Sequence, residues 1–227
     1  MSDIQLHYIE QGQGNPLILL HGNGESCDYF EHQITCFCHD YRVIALDTRG
    51  HGQSPRGGKP FTIKQFAEDL YDFMDEKGIE KAILLGFSDG GNIALEFALK
   101  YPERVEKLIL NGANLFPSGV KAKYQLPIEV GCRIAKMFSN KSEKAKKNAE
   151  MLGLMVNEPH IDPAELARLT MPVLVIAGTR DMIKESHTRL IYNSLPNAQL
   201  AIVEGDHFVA NKNAEAFNKV VAAFLRK

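Results

Sequence analysis

The sequence predicts a doubly wound α/β fold, with a mostly parallel sheet, helices on both faces and one helical insertion. Short runs rich in Val, Ile and Leu alternate with amphipathic helical patterns, and Gly, Pro, Asn or Asp bounds each run. The runs lie at residues 17–20, 43–46, 82–85, 108–110, 173–177 and 200–203. Because strands buried on both faces of a parallel sheet are almost continuously apolar, this alternation predicts parallel strands joined by helices.

An additional strand is expected at the N-terminal edge of the sheet. Residues 4–10 precede the turn signal Gly-Gln-Gly at 12–14, so they are expected to form a hairpin with the strand at 17–20. Hairpin strands are antiparallel, and for this reason the sheet is expected to be mostly rather than wholly parallel.

Three helices are recognised from apolar residues at helical spacing. The first runs from Phe66 to Met74, and Thr62 stands three residues before Gln65, the spacing of a capping box. The second follows a Gly-rich turn, and the third lies at the C-terminus. The apolar residues that define these two helices are Ile93, Phe97 and Ala98, and Phe217, Val220, Val221, Phe224 and Leu225.

The alternation is interrupted between residues 110 and 173, where helical spacing continues without a strand pattern. We expect a helical lid over 115–165, which divides the core domain into segments 1–114 and 166–227. Residues 121–150 carry eight Lys or Arg and three Glu, an excess of five positive charges. These charges either form a solvated outer face or attract anionic acyl substrates. The apolar underside of the lid is expected to consist of Ile128, Cys132, Ala135 and Phe138.

Composition excludes several classes of protein. The 26 Lys and Arg against 28 Asp and Glu give a net charge of −2, so no global attraction to nucleic acid or anionic membrane is expected. The apolar runs are too short to span a bilayer, and the first residues lack the pattern of a secretory signal. Four cysteines in 227 residues do not make a disulfide scaffold. We therefore expect a cytoplasmic protein with one sizeable core.

The strongest chemical signal is the segment 86–91, which reads Gly-Phe-Ser-Asp-Gly-Gly between a predicted strand and a predicted helix. A serine on so tight a strand-to-helix turn requires neighbours without Cβ atoms two residues to either side. The turn presents the Ser88 hydroxyl above the sheet, at a helix N-terminus that favours developing negative charge. Ser88 is therefore the predicted nucleophile.

A serine nucleophile needs a base, and the base needs an orienting acid. Among the histidines, His207 directly follows the last predicted strand, which places it at the same sheet edge as Ser88. His187 lies within a helical pattern and is expected at the surface. Asp181 also follows a strand, and we prefer it to Asp206, which adjoins His207 and is expected to point away from it.

Acyl transfer also requires donors for an oxyanion. The backbone N–H of Asp89, directly after the nucleophile, is one candidate. The backbone N–H of Asn23 is the other, because it lies in a Gly-rich loop after the strand at 17–20. His21 begins this loop and is expected to support it by hydrogen bonding.

These segments together resemble the α/β-hydrolase fold family. The resemblance rests on residues 21–24, 47–54, 86–91, 178–181 and 205–207, and it covers nearly the whole chain outside the predicted lid. The second segment reads Asp-Thr-Arg-Gly-His-Gly-Gln-Ser and matches a family loop that packs against and positions the neighbouring active-site loops.

The resemblance implies a serine hydrolase that cleaves small carboxylic esters through an acyl-enzyme. A carbon–carbon bond hydrolase, lactonase or thioesterase with the same triad is the alternative, and a ligand-binding or signalling protein with negligible turnover is the alternative of another class. Epoxide hydrolases of this fold carry Asp where this chain has Ser88, so an alkyl-enzyme mechanism is not expected. No cofactor is implied, because phosphate and dinucleotide loops are not found. No metal is expected, since the cysteines lack ligand spacing, and the near-neutral charge gives no reason to expect a nucleic-acid partner. No oligomeric state is predicted.

Overall fold

The structure, a computed structural model that describes residues 2–227, contains a seven-stranded sheet flanked by helices. The strands are β1 (Tyr8–Gln11), β2 (Pro16–Leu20), β3 (Arg42–Leu46), β4 (Ala82–Phe87), β5 (Val105–Asn111), β6 (Val173–Gly178) and β7 (Ala198–Val203). The helices are α1 (Glu31–Phe37), α2 (Ile63–Glu76), α3 (Asp89–Lys100), α4 (Ala122–Phe138), α5 (Glu143–Asn157), α6 (Glu185–Ser194), α7 (Val209–Lys212) and α8 (Ala214–Leu225). Each predicted apolar run is confirmed as a strand, with one or more residues added at its ends.

The strand order is β1-β3-β2-β4-β5-β6-β7, and only the β1–β3 pair is antiparallel. The predicted hairpin between residues 4–10 and β2 is therefore wrong, since Tyr8 pairs with Leu46 of β3. The physical reason is that β3 and β4 already occupy both edges of β2. The chain therefore turns through Gly12 and Gly14, both at positive φ, and β1 pairs with the free edge of β3.

Successive residues of the central strands point to opposite faces of the sheet and enter two separate cores. Ile18 and Leu20 pack with α2 and α3, whereas Leu17 and Leu19 pack with α1 and α8. All four side chains are at most 1% exposed. The predicted arrangement, with helices on both faces of a mostly parallel sheet, is confirmed.

Two helices, α4 and α5, lie between β5 and β6 and pack against each other. Gln125 Nε2 donates to the Met155 carbonyl at 3.3 Å, and Cys132 is buried. Of the residues predicted for the apolar underside, Ile128 and Ala135 are half-buried and Cys132 is buried. Phe138 is 49% exposed, so that part of the prediction is wrong. Within residues 2–227, no helix combines the length and apolarity needed to cross a bilayer.

His187 is buried, so its predicted surface position is also wrong. Its Nε2 accepts a hydrogen bond from the Leu115 N–H at 2.9 Å, and the Phe116 ring packs edge-on against it at 4.5 Å. Burial, followed by the charge of Lys184, lowers the pKa of His187 to about 4. The side chain therefore fastens the start of the β5–α4 connection to α6 while the imidazole is neutral.

We expect His187→Gln to flatten the pH dependence of stability between about pH 6.5 and about pH 4. In this window the unfolded histidine binds a proton that the folded one does not, so the free energy of unfolding falls as the pH falls. Glutamine does not titrate and can still accept from Leu115. Urea unfolding across the window measures the slope. His51, with a pKa of about 4, leaves a residual slope, and a slope equal to that of the wild type would contradict the assignment.

Candidate active site

Ser88 occupies a strained turn between β4 and α3. Its φ of 53° and ψ of −119° lie where side chains are rarely found, and it is the only described residue other than glycine with a positive φ. A Cβ at Gly86 would overlap the carbonyl of Gly90, and a Cβ at Gly90 would overlap the carbonyl of Leu20. The glycines of the motif therefore allow the turn itself and bring it against the end of β2.

Hydrogen bonds hold the Ser88 turn in place. The Ser88 N–H donates to the Asn111 carbonyl at the end of β5, at 2.8 Å. The Ser88 carbonyl accepts from the N–H groups of Gly91 and Asn92 at 2.9 and 3.1 Å, which begins α3. The hydroxyl therefore stands at the positive end of the α3 dipole.

The structure brings Ser88, His207 and Asp181 together. Ser88 Oγ lies 3.0 Å from His207 Nε2, and His207 Nδ1 lies 2.7 Å from Asp181 Oδ1. The three residues follow β4, β7 and β6 respectively, so all three project from the carboxyl edge of the parallel sheet. Asp206 bonds Lys212 at 2.5 Å, away from the imidazole.

The Asp181 carboxylate is built to remain charged. Burial raises its pKa, but the hydrogen bond with His207 and those from the Ile183 and Gly178 N–H groups outweigh burial, so the pKa lies below its usual value. The two backbone bonds measure 2.9 and 3.1 Å. A charged acceptor on Nδ1 fixes the tautomer in which Nε2 can accept the serine proton.

The loop after β2 lies directly against the Ser88 turn, since a Cβ at Gly22 would come 2.9 Å from the Phe87 ring and 3.2 Å from the Ser88 Cβ. His21 supports this loop as predicted. Its Nε2 accepts from the Thr48 N–H at 3.0 Å, so its Nδ1 carries the proton and donates to the Gly22 carbonyl at 2.7 Å. The loop that contains Asn23 is thereby fixed by a buried, neutral imidazole, whose pKa is lowered by burial.

The segment 47–54 supports the same loops from below. The Asp47 carboxylate accepts from the N–H groups of Cys27 and Gln53 at 2.7 and 2.8 Å. Arg49 is fully buried and donates twice to the Asp69 carboxylate of α2, each time at 2.7 Å. A paired, hydrogen-bonded charge pair of this kind fixes backbone geometry, because separating the charges would leave one buried alone.

The side chains of Asn23 and Asp89 also form hydrogen bonds at the site. From the sequence, only the backbone N–H groups of these two residues were predicted to act. The amide of Asn23 donates to Asp89 Oδ2 at 2.9 Å and to the Met151 carbonyl of α5 at 2.8 Å. Burial raises the pKa of Asp89, which also accepts from Asn92 at 3.3 Å. The only available sequence signal was the polar pair of Asp89 and Asn92 close behind Ser88.

Residues 15–131 match the family model described as "alpha/beta hydrolase fold". The chain belongs to the α/β hydrolase fold family. The family assignment and the fold predicted from the sequence are therefore confirmed, and two of the relatives are named as hydrolases.

Relatives with full coverage of this α/β hydrolase chain carry different activities in their names. Epoxide hydrolase 4 of Mus musculus is 39% identical, with 100% of this chain and 77% of the relative covered. Serine hydrolase BPHL of Homo sapiens is 27% identical, with 100% and 84% covered. The solved enol-lactonase of Burkholderia xenovorans superposes with a TM-score of 0.83 at 22% identity, covering 99% of this chain and 97% of the other. At that identity the superposition shows the fold alone.

One group of side chains in the described residues has the spacing of a metal site. The ligand atoms of His7, Cys27 and Asp47 lie within 4.8 Å of one another. His7 Nδ1 bonds Asp47 at 2.8 Å, and Asp47 also accepts two backbone N–H groups. The carboxylate oxygens of Asp47 are thus already engaged in fixing the segment 47–54 of this α/β hydrolase.

We expect Gly90→Ala and Gly153→Ala to have opposite effects on stability, although both glycines lie within helices. At Gly153 a Cβ meets only Asn157 at 3.8 Å, so alanine should raise the free energy of unfolding by up to ~1 kcal/mol. At Gly90 the overlap with Leu20 should lower it by several kcal/mol or prevent folding. Denaturant unfolding measures both. An equal gain at both positions would show that the turn tolerates a Cβ.

Proposed function

We propose that the protein is a serine hydrolase that cleaves carboxylic esters through an acyl-enzyme intermediate. The observation that carries the proposal is the continuous chain of contacts from Ser88 Oγ to His207 and from His207 to Asp181, at 3.0 and 2.7 Å. A hydroxyl alone is a poor nucleophile at neutral pH, and this chain supplies its base and the group that orients the base.

Acylation begins when His207 Nε2 accepts the Ser88 proton as Oγ attacks the ester carbonyl. The tetrahedral oxyanion is stabilised by the backbone N–H groups of Asn23 and Asp89, which lie on the two elements that flank Ser88. The charged Asp181 stabilises the imidazolium. His207 then returns its proton to the alkoxide oxygen, and the alcohol leaves.

Deacylation repeats these steps with water as the nucleophile. His207 removes a proton from the water as it attacks the acyl-enzyme, and the oxyanion is stabilised by the same two N–H groups. Collapse of the second tetrahedral intermediate releases the acid and restores the Ser88 hydroxyl. His207 is the only proton carrier that these reaction steps need.

Related reactions differ in how well the site supports them. A lactone is a cyclic ester, and its ring would be opened by the same steps. A thioester would be cleaved in the same way, and a carbon–carbon bond hydrolase would use the same triad. Epoxide opening by a carboxylate nucleophile is not supported, although a mouse relative is named an epoxide hydrolase. His207 bonds Ser88, and the neighbouring Asp89 is held by Asn23 and Asn92.

A binding protein with negligible turnover is the alternative of another class. Binding alone does not require an oriented base, so the ordered contacts of Asp181 favour catalysis. A burst assay with an activated ester separates the two, because an enzyme turns over repeatedly and a receptor stops after one covalent event.

We further propose that residues 115–165 act as a lid over this site.

Ser88→Ala should reduce kcat for ester hydrolysis by up to ~10⁶-fold while leaving the free energy of unfolding nearly unchanged. His207→Ala should be similarly severe, and Asp181→Asn should lose up to ~10⁴-fold because the imidazole adopts the wrong tautomer. The measurement is steady-state hydrolysis of a soluble activated ester by purified variants.

The double variant Ser88→Ala with His207→Ala provides the internal test. Residues that act as one unit are not additive, so the double variant should be no worse than the worse single variant. If the two losses multiply, His207 is not the base for Ser88. Normal activity of Asp181→Asn would assign the orienting role to another carboxylate.

Asn23→Ala tests the side chain that links the loop after β2 to Asp89 and α5. The variant keeps its backbone N–H but loses two hydrogen bonds, so kcat/KM should fall about tenfold, with the fold retained. Asn157→Ala is the matched control, since its amide also donates to a carbonyl of α5, that of Gly153, without contacting the site. Equal effects of the two substitutions would contradict a role for Asn23 at the site.

A further inference from the structure

Helix α4 turns an apolar face away from the rest of the molecule. Eight large apolar side chains of the described residues are exposed, and six of them lie on α4. They are Tyr124 (37% exposed), Leu126 (59%), Val130 (54%), Ile134 (52%), Met137 (74%) and Phe138 (49%). Surface helices normally bury this face against the core, so the arrangement is the reverse of the usual one.

Four of these residues make one continuous strip. Leu126, Val130 and Ile134 lie at i, i+4 and i+8, and Met137 follows three residues later, so all four fall on one side of the helix. The side that faces α5 contains Gln125 and Cys132. We call the four-residue side the α4 strip.

Cations border the α4 strip. Lys123, Arg133 and Lys136 are exposed on α4, and none of the ion pairs between described residues includes them. Residues 121–150 carry eight cations and three glutamates, a net charge of +5, whereas the remainder of the chain, with 18 cations and 25 acidic residues, carries −7. The near-neutral total therefore conceals a strongly polarised charge distribution.

We propose that the α4 strip docks on the surface of an anionic lipid bilayer. Apolar side chains enter the boundary between headgroups and acyl chains, while the bordering Lys and Arg side chains reach lipid phosphates, as basic amphipathic helices do when they lie in the interface. The helix lies on the bilayer and does not cross it.

A second copy of the chain fits this surface less well. One face of a 17-residue helix is about 25 Å long and about 10 Å wide, which gives an area of about 250 Å². This area is well below the roughly 800 Å² per partner that stable protein interfaces bury. A two-fold pairing would also bring Lys123, Arg133 and Lys136 of both copies together. Anionic lipid is complementary to both the apolar strip and its charged border.

The test is cosedimentation of the full chain with vesicles that contain equal amounts of phosphatidylglycerol and phosphatidylcholine, compared with vesicles of phosphatidylcholine alone. We expect binding to the anionic vesicles and its loss as salt is raised. Vesicle binding requires no turnover, so the Ser88→Ala variant should bind like the wild type. The result is therefore independent of the proposed esterase activity.

Matched variants locate the docking surface. Ile134→Gln should weaken vesicle partitioning at least about tenfold, whereas Ile202→Gln, at a residue of similar exposure on β7, should not change it. The triple variant Lys123→Gln, Arg133→Gln, Lys136→Gln should lose about a hundredfold. The control variant removes three positive charges elsewhere, at Lys64, Lys81 and Lys219, which are all exposed and lie outside α4 and α5. Its vesicle partitioning should fall much less. Circular dichroism and thermal unfolding check that each variant folds.

Three results would overturn the proposal. The first is failure of the folded wild type to sediment with anionic vesicles. The second is an equal loss for Ile134→Gln and Ile202→Gln, which would place binding elsewhere. The third is a concentration-dependent dimer in analytical ultracentrifugation that Ile134→Gln abolishes while vesicle binding is absent, which would assign the α4 strip to a second copy.

Discussion

The site depends on the close approach of the β4–α3 turn to the end of β2. A Cβ at Gly90 would overlap the Leu20 carbonyl and push the two elements apart, and a Cβ at Gly22 would crowd the Phe87 ring at 2.9 Å and the Ser88 Cβ at 3.2 Å. Ser88 keeps a positive φ, at a cost of order 1–3 kcal/mol, because hydrogen bonds from both ends of the turn determine its backbone. Without this approach the loop of Asn23 could not reach Ser88.

A second layer of buried polar groups converts that approach into a fixed geometry. Asp47 holds the segment 47–54, Thr48 of this segment holds His21, and His21 holds the Gly22 carbonyl. The two bonds of His21 are buried, so breaking either would leave a donor or acceptor without a partner, at a cost of about 1–3 kcal/mol. The fully buried Arg49 continues the chain of contacts to Asp69 of α2. The loop therefore depends on residues distant from it in sequence.

Sequence reasoning succeeds where topology alone decides position. Ser88, Asp181 and His207 each follow a parallel strand, and the carboxyl ends of such strands share one edge, so their proximity required no knowledge of packing. It fails where packing between elements decides. The pairing of β1 depends on which strand edges remain free, and the helical spacing of Phe138 does not reveal which side of α4 faces the protein. His187 was misplaced because its partner, Leu115, is distant in sequence.

The helix pair α4 and α5 is the part of the chain that should separate from the rest most easily. Among the described residues of α5, only Ala149 and Leu154 are buried, and the helix also forms polar bonds with Asn23 and Arg56. The half-exposed Arg56–Glu150 pair contributes little, on the order of 0–1 kcal/mol. The Asn23 bond to Met151 joins α5 directly to the loop beside Ser88. Local opening occurs where few apolar contacts must be broken. Motion of helices α4 and α5 would therefore act on the loop beside Ser88 first through Asn23.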